Sequence, residues 1–289
     1  MDYISAMFIA IIIICMSMQS VLKKGYSQKV GGGGVFTFST VGSLCACLFF
    51  AVKALLRHTL VFDWEILPFA LMFAAAYISA SVFNMLAIQT GSLSLTSLFL
   101  SYSLIIPTVY GLIFDGDKAG LTLFLGLGFL ALSIALINSK KGESKITGKW
   151  VLFALLSFLG NGLCSTIQPE QTEIFSGKYD DSFMVIALLI VSVFNAIMML
   201  TRERSEAPRL LKHGLWMMIC AGTANGVVNM LVMVVTAAGV SKSLMFPLIS
   251  AGGIVLTWVI SLFFYKEKLT LKQNIGMVLG VISIVFLNL

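Results

Sequence analysis

The fold class predicted by this sequence is an all-α polytopic membrane protein of ten transmembrane helices, and three observations predict it. Hydrophobic residues make up 58% of the chain and charged residues only 11%, with a mean hydropathy of +0.99, more apolar than a water-soluble domain of this length can be. The apolar runs show no two-residue alternation, and hydrocarbon admits only helices or closed barrels, so the runs are helices. The charged residues sit singly or in short hydrophilic connections between the runs, which leave no room for an extramembrane domain.

A helix needs about 20 apolar residues to cross the bilayer. The stretches free of Asp, Glu, Lys and Arg are Tyr3–Leu22, Val30–Val52, Ile66–Phe114, Ala119–Ser139, Trp150–Pro169, Ser182–Thr201, Gly214–Ser241, Ser243–Tyr265 and Gln273–Leu289. The third is long enough for two spans, and the polar set Gln89-Thr90-Gly91-Ser92 divides it. The start, Met1-Asp2-Tyr3, has no basic segment before the first apolar run, so that run reads as a span and not as a removable signal.

Several function classes fall away on the same residues. The net charge of +6 comes from dispersed Lys and Arg without a basic face, which argues against nucleic acid. The cysteines (Cys15, Cys45, Cys47, Cys164 and Cys220) lie inside apolar runs as small hydrophobes; Cys45 and Cys47 point to different helix faces with no His nearby, so neither a metal nor another cofactor is implied. Gly31–Gly34 lacks a following Gly-Lys-Ser/Thr, so it is a flexible connector and not a phosphate loop. His58 and His213 stand at span ends without catalytic companions, so the chain does not read as an enzyme.

The chain also resembles itself. Residues 113–138 laid on 263–288 match at Phe114/Phe264, Lys118/Lys268, Leu121/Leu271, Gly126/Gly276, Ser133/Ser283, Ile134/Ile284 and Asn138/Asn288. Asn84-Met85-Leu86 recurs as Asn229-Met230-Leu231, and Gln19 aligns with Gln168. The predicted organisation is a five-helix repeat over 1–139, a basic linker over 140–149 and a second five-helix repeat over 150–289. Five is odd, so the second copy enters the membrane from the opposite side, the inverted arrangement of secondary transporters. Two similar halves facing opposite ways can exchange conformations, which yields alternating access. Most of the 19 Lys and Arg fall in connections after odd-numbered spans, which by the positive-inside rule places both termini outside.

With ten helices in two halves, and with the segment Tyr265-Lys266-Glu267-Lys268-Leu269-Thr270-Leu271-Lys272-Gln273-Asn274-Ile275-Gly276 before the last span, the chain resembles the EamA family of the drug/metabolite transporter superfamily. The family signature is matched by Glu267, Gln273 and Gly276, and in the first half by Asp117 in the Glu position and by Gly126. The resemblance implies an exporter or importer of small metabolites in the cell membrane, with a central cavity between the halves.

The expected function is secondary transport, in the export direction, of an amino acid or related polar solute. The competing readings are a membrane scaffold or sensor, which has no use for an inverted repeat, and an intramembrane lipid-modifying enzyme, which needs clustered catalytic groups absent here. Cavity candidates are Gln19, Asn84, Tyr102, Asn161, Gln168 and Asn229, with helix-to-helix bonding the alternative for Asn84 and Asn229. Of 13 acidic residues, only Glu170 and Glu173 fall near hydrocarbon, and Glu170, just after Pro169, is the candidate for proton coupling; the alternative is that it has reached the interface. Lys23 and Lys24 read as headgroup-snorkelling residues. Gly222/Gly226 and Gly276/Gly280 set small residues four apart for close packing inside the bundle, the alternative being a homodimer contact. Pro107 and Pro247 predict kinks in their spans.

Overall fold

The computed structural model describes residues 3–110, 121–137, 147–238, 240, 242–266 and 269–287. It is 89% helix, with no strand among the described residues. The helices are α1 (Tyr3–Val30), α2 (Val35–Arg57), α3 (Leu67–Thr90), α4 (Leu93–Ser101), α5 (Ile105–Tyr110), α6 (Leu121–Ile137), α7 (Gly148–Ile174), α8 (Asp180–Arg202), α9 (Ala207–Ala237), α10 (Lys242–Phe264) and α11 (Leu271–Leu287). Six are long and apolar enough to cross a bilayer: α1, α2, α3 with its leading 3-10 turn at Trp64–Ile66, α7, α8 and α9. Two shorter apolar stretches, Leu248–Phe264 and Leu271–Phe286, lie in α10 and α11. The chain is therefore a polytopic helical membrane protein.

The expected division of Ile66–Phe114 is present: α3 stops at Thr90 and Ser92 caps α4, its side chain accepting from the Leu95 N–H. A second break falls in the span where Pro107 predicts a kink. Between α4 and α5 the backbone tightens into a 3-10 turn at Tyr102–Leu104, just where the ring of Pro107 crowds the carbonyl four residues earlier. Pro247 lies within α10, which is continuous through it. Several helices outrun their charge-free cores: α1 continues past Lys23 and Lys24, α7 past Pro169, and α9 begins at Ala207, before Gly214.

The helices interleave. α1 packs on α9 and α10, while α7 packs on α3 and on α4 and α5; α2 packs on α8 and α9, α3 on α8, α10 on α4, and α6 on α11. Four buried clusters form the interior, and each draws residues from both 1–139 and 150–289; one joins Phe50 and Phe73 to Phe183 and Leu188, another Ile9 and Ile12 to Leu231 and Val235. Small residues permit the closest approaches. A Cβ on Gly160 would come within 2.5 Å of Ala80 N and 2.6 Å of Ala76 O, and one on Gly222 within 2.8 Å of Gly42 Cα. Gly226 faces Phe49 and Gly280 faces Leu98, so both glycine pairs include a member packed inside the bundle.

Polar side chains fasten the pairs. The Ser133 hydroxyl on α6 donates to the Gly276 carbonyl on α11 at 2.6 Å, and the Ser283 hydroxyl on α11 donates to the Gly126 carbonyl on α6 at 2.8 Å. α2 and α8 lie antiparallel. At one end the Glu203 carboxylate, just past α8, accepts from the N–H groups of Phe36 and Thr37 at 3.1 and 2.7 Å and from the Thr37 hydroxyl, so an anion caps the N-terminus of α2. At the other end Asp181 in the first turn of α8 binds Lys53 at 2.5 Å and the Thr59 hydroxyl at 2.6 Å. The hydroxyls of Ser43 and Ser192, 3.0 Å apart, join the same helices between these ends.

The connectors gather at two ends. Gly31–Gly34 all take φ between 66° and 88°, a left-handed run open only to glycine, and the carbonyls of Gly33 and Gly34 accept from Gln89 and Tyr26. Gly91 fits against Trp150 at this same end, and Lys24 donates to the carbonyls of Ile88 and Gly91 at 3.1 and 3.0 Å. Lys24 thus caps the C-terminus of α3 and does not snorkel. At the far end, Asp63 accepts from the Glu65 N–H and the Tyr179 hydroxyl, which hold its carboxyl below the usual carboxylate range.

The Glu203 cap predicts a stability effect. Glu203→Ala leaves two N–H groups at a helix start without their acceptor and is expected to cost about 1–2 kcal/mol, read as a lowered Tm in detergent, whereas Glu206→Ala, which forms no such cap, should leave Tm within error.

Candidate functional site

A cavity of about 230 Å3 lies between the helices and takes its walls from α1, α3, α4 with its 3-10 turn, α7, α9 and α10. At about 30 Å3 per water it has room for roughly eight water-sized groups, which sets the scale of a solute. Its amides stand in register on helix faces. Met16, Gln19, Ser20 and Lys23 recur at three- and four-residue intervals along α1, as do Asn161, Ser165, Gln168 and Pro169 along α7, and Asn225, Val228, Asn229 and Val232 along α9.

The polar groups form a chain that crosses from one half to the other. The Tyr77 hydroxyl on α3 donates to Asn225 Oδ1 on α9 at 2.8 Å, Asn225 Nδ2 donates to Gln19 Oε1 on α1 at 3.3 Å, and Asn229 Nδ2 reaches Asn225 Oδ1 at 3.2 Å. Opposite them Asn161 Nδ2 donates to the Ser103 hydroxyl at 2.7 Å. Asn84 also faces the cavity, and its Oδ1 is buried with no hydrogen-bond partner among the described residues. Leaving an amide oxygen unpaired in a low-dielectric site costs on the order of 1–3 kcal/mol, so this atom favours a donor brought by a guest.

Of the sequence candidates, Gln19, Asn84, Asn161, Gln168 and Asn229 all line this cavity. Tyr102 does not. It is buried on the α6 and α11 side, where its hydroxyl meets Ser133 at 2.6 Å and extends the Ser133–Gly276 bond. Glu170 is half-buried and is not part of the cavity wall, although its neighbours Gln168 and Pro169 are; α7 turns its side chain to another face. Among the signature residues, Gln273 and Thr270 form a capping box at the start of α11: Gln273 Oε1 accepts from the Thr270 N–H at 3.0 Å, and Thr270 Oγ1 from the Gln273 N–H at 3.3 Å. Gly276 and Gly126 are the carbonyl acceptors of the paired serine bonds. Glu267 and Asp117 lie outside the described residues.

Sequence reasoning missed Asn225, which sits inside a small-residue motif but holds the centre of the amide chain, and it assigned Lys23 to headgroups although Lys23 lines the cavity. The four-residue spacing of Asn225 to Asn229 and of Gln19 to Lys23 was the available signal. Trp150 and Trp258 are packing residues, with Trp150 Nε1 bonded to the Thr96 hydroxyl at 2.9 Å, while Trp64 and Trp216 are exposed on the outer surface.

The Tyr77–Asn225 bond joins the halves across the cavity. A double-mutant cycle of Tyr77→Phe and Asn225→Ala, followed by thermal unfolding, should return a coupling of about 1 kcal/mol; additivity would mean that the bond holds nothing together.

No protein-family model matches the chain, and no curated protein matches it. Among solved structures, one described only as "Crystal structure of protein" is similar over 99% of this chain and 97% of its own, with a TM-score of 0.66 at 12% identity. At that identity the likeness is one of fold, and it extends over the whole helical bundle.

Proposed function

We propose that the chain is a secondary transporter of a small polar metabolite, working by alternating access between two inverted five-helix repeats, as the EamA resemblance implies. The observation that carries this reading is the cavity: a chamber enclosed by helices of both halves, into which six amide side chains and Lys23 converge among apolar walls. Two further observations support it. Exchanging the two sets of five spans (α1, α2, α3, α4 with α5, and α6 for α7 to α11 in order) returns the main packing pairs, α1 on α9 becoming α7 on α3 and α1 on α10 becoming α7 on α4. Spans equivalent under that exchange also run antiparallel, since Lys53 near the end of α2 meets Asp181 at the start of α8, while Ser133 and Ser283 each reach across to the other's Gly276 and Gly126. Antiparallel equivalents are what an inverted repeat requires.

On this reading the plasma membrane is the site of action, and export is the direction. Proton coupling through Glu170 would need the carboxylate to reach the cavity in another conformation, so Glu170→Gln is expected to leave solute exchange intact and to abolish only its dependence on a pH gradient. The direct test is counterflow in proteoliposomes preloaded with pooled small metabolites, followed by mass spectrometry. Protein-dependent exchange of one chemical class is the expected result, and its absence across a broad pool from folded protein would overturn the proposal in favour of a scaffold or lipid-directed role.

A further inference from the structure

The cavity described above sets its amides, hydroxyls and Lys23 among apolar wall residues such as Phe73, Val228 and Phe246, and its charge is not balanced. Lys23 projects from α1 about 10 Å (seven residues at 1.5 Å) before the helix ends at Val30, on the face it shares with Gln19 and Ser20, and lines the chamber. Among the described residues no Asp or Glu lines the chamber with it. Lys23 forms no hydrogen bond and no ion pair among the described residues, unlike Lys24 beside it, which is spent on the end of α3. The position equivalent to Gln19 is Gln168, and the α7 face that follows it carries no cation, so the charge belongs to one end of the chamber.

An ammonium inside a membrane protein without a counter-ion is costly, and it persists where a ligand supplies the opposite charge. A single positive charge balances a single negative one. A dianionic phosphate ester would leave one charge uncompensated in the low-dielectric chamber, and a zwitterion would carry its own second cation in beside Lys23. Lysine also presents a point charge where the recognition of phosphate commonly uses the planar fork of arginine. The other end of the solute is constrained by Asn84, whose buried Oδ1 lacks a donor, and by the size of the chamber, about 230 Å3.

From these observations we infer that the transported solute is a small monocarboxylate bearing a hydrogen-bond donor such as a hydroxyl, with its carboxylate on Lys23 and its donor turned to the amides, Asn84 first among them. The inference rests on the cavity being a solute site and narrows the proposed polar metabolite to one charge class. It disfavours the free amino acids that the sequence alone suggested.

The test separates binding from transport. Purified protein in detergent is titrated with lactate, lactamide and alanine, with Tm as the binding readout, for the wild type, Lys23→Met and Lys23→Arg. Lactate is expected to raise Tm while its uncharged isostere lactamide and the zwitterion alanine do not; Lys23→Met should weaken the lactate response at least tenfold, and Lys23→Arg should retain most of it. Because Lys23→Met removes an unpaired charge, its own Tm without solute should equal or exceed that of the wild type, which shows that the variant is folded; if it does not fold, Lys23→Gln takes its place. An equal response to lactamide, a preference for alanine, no response to lactate, or a lactate response that survives loss of the ammonium would each overturn the inference. Counterflow with labelled lactate then addresses the parent reading by itself: lactate binding that depends on Lys23 but is never exchanged would sink transport and leave the anion site standing, whereas exchange confined to neutral or cationic solutes would do the reverse.

Discussion

Everything in this bundle depends on how polar groups are satisfied where no water can reach them. Lipid tails are as apolar as leucine, so burying hydrophobic surface does not by itself hold one membrane helix to another; close packing of small residues and interhelical hydrogen bonds do. The paired bonds from Ser133 to the Gly276 carbonyl and from Ser283 to the Gly126 carbonyl show both devices at once. The serine is small enough to let α6 and α11 approach, and its hydroxyl finds a carbonyl on the neighbour. Glycine at the acceptor position leaves that carbonyl unshielded by a side chain. The same logic repeats where Ser79 and Ser157 donate across α3 and α7 to the carbonyls of Leu156 and Ala80, beside the Gly160 contact.

A bundle fastened in this way has polar bonds of two kinds, and they differ in where they lie. Those between α6 and α11, and at the two ends of α2 and α8, lie away from the chamber and tie together helices that are equivalent under the proposed exchange. Those in the chamber, from Tyr77 through Asn225 to Gln19, join side chains that face open space and can trade partners with a solute. Amide and hydroxyl groups suit that exchange because each can donate or accept. On the proposed reading these seams between the repeats serve as pivots, while the bonds of the chamber rearrange around the solute.

Much of this was legible in the sequence because lipid imposes a length and a polarity on every span. The helical, membrane-spanning character of the chain, the break at Gly91-Ser92 and the amides of the cavity all followed from that constraint. The errors have the same origin. A rule that stops at the first charge ends α1 at Leu22, yet Lys23 faces the chamber and Lys24 a helix end, so neither interrupts the helix. Tyr102 stood among the cavity candidates, but which neighbour its hydroxyl bonds is set by helix rotation, which a charge-free run does not encode. Among the described signature residues, Gln273 closes a capping box and Gly276 accepts a serine bond, so both set the start and the seat of α11.

The position of Lys23 bears on how such a machine could cycle. On the proposed reading the empty chamber holds one uncompensated ammonium and the loaded chamber holds a neutral pair. Carrying a net charge through the closed, dehydrated intermediate of alternating access is costly, while a neutral pair meets a smaller electrostatic barrier. The loaded protein would therefore change conformation more readily than the empty one, and solute on one side would be traded for solute on the other. Exchange would then arise from the electrostatics of a single side chain, without a carboxylate in the chamber wall and without Glu170, which faces elsewhere.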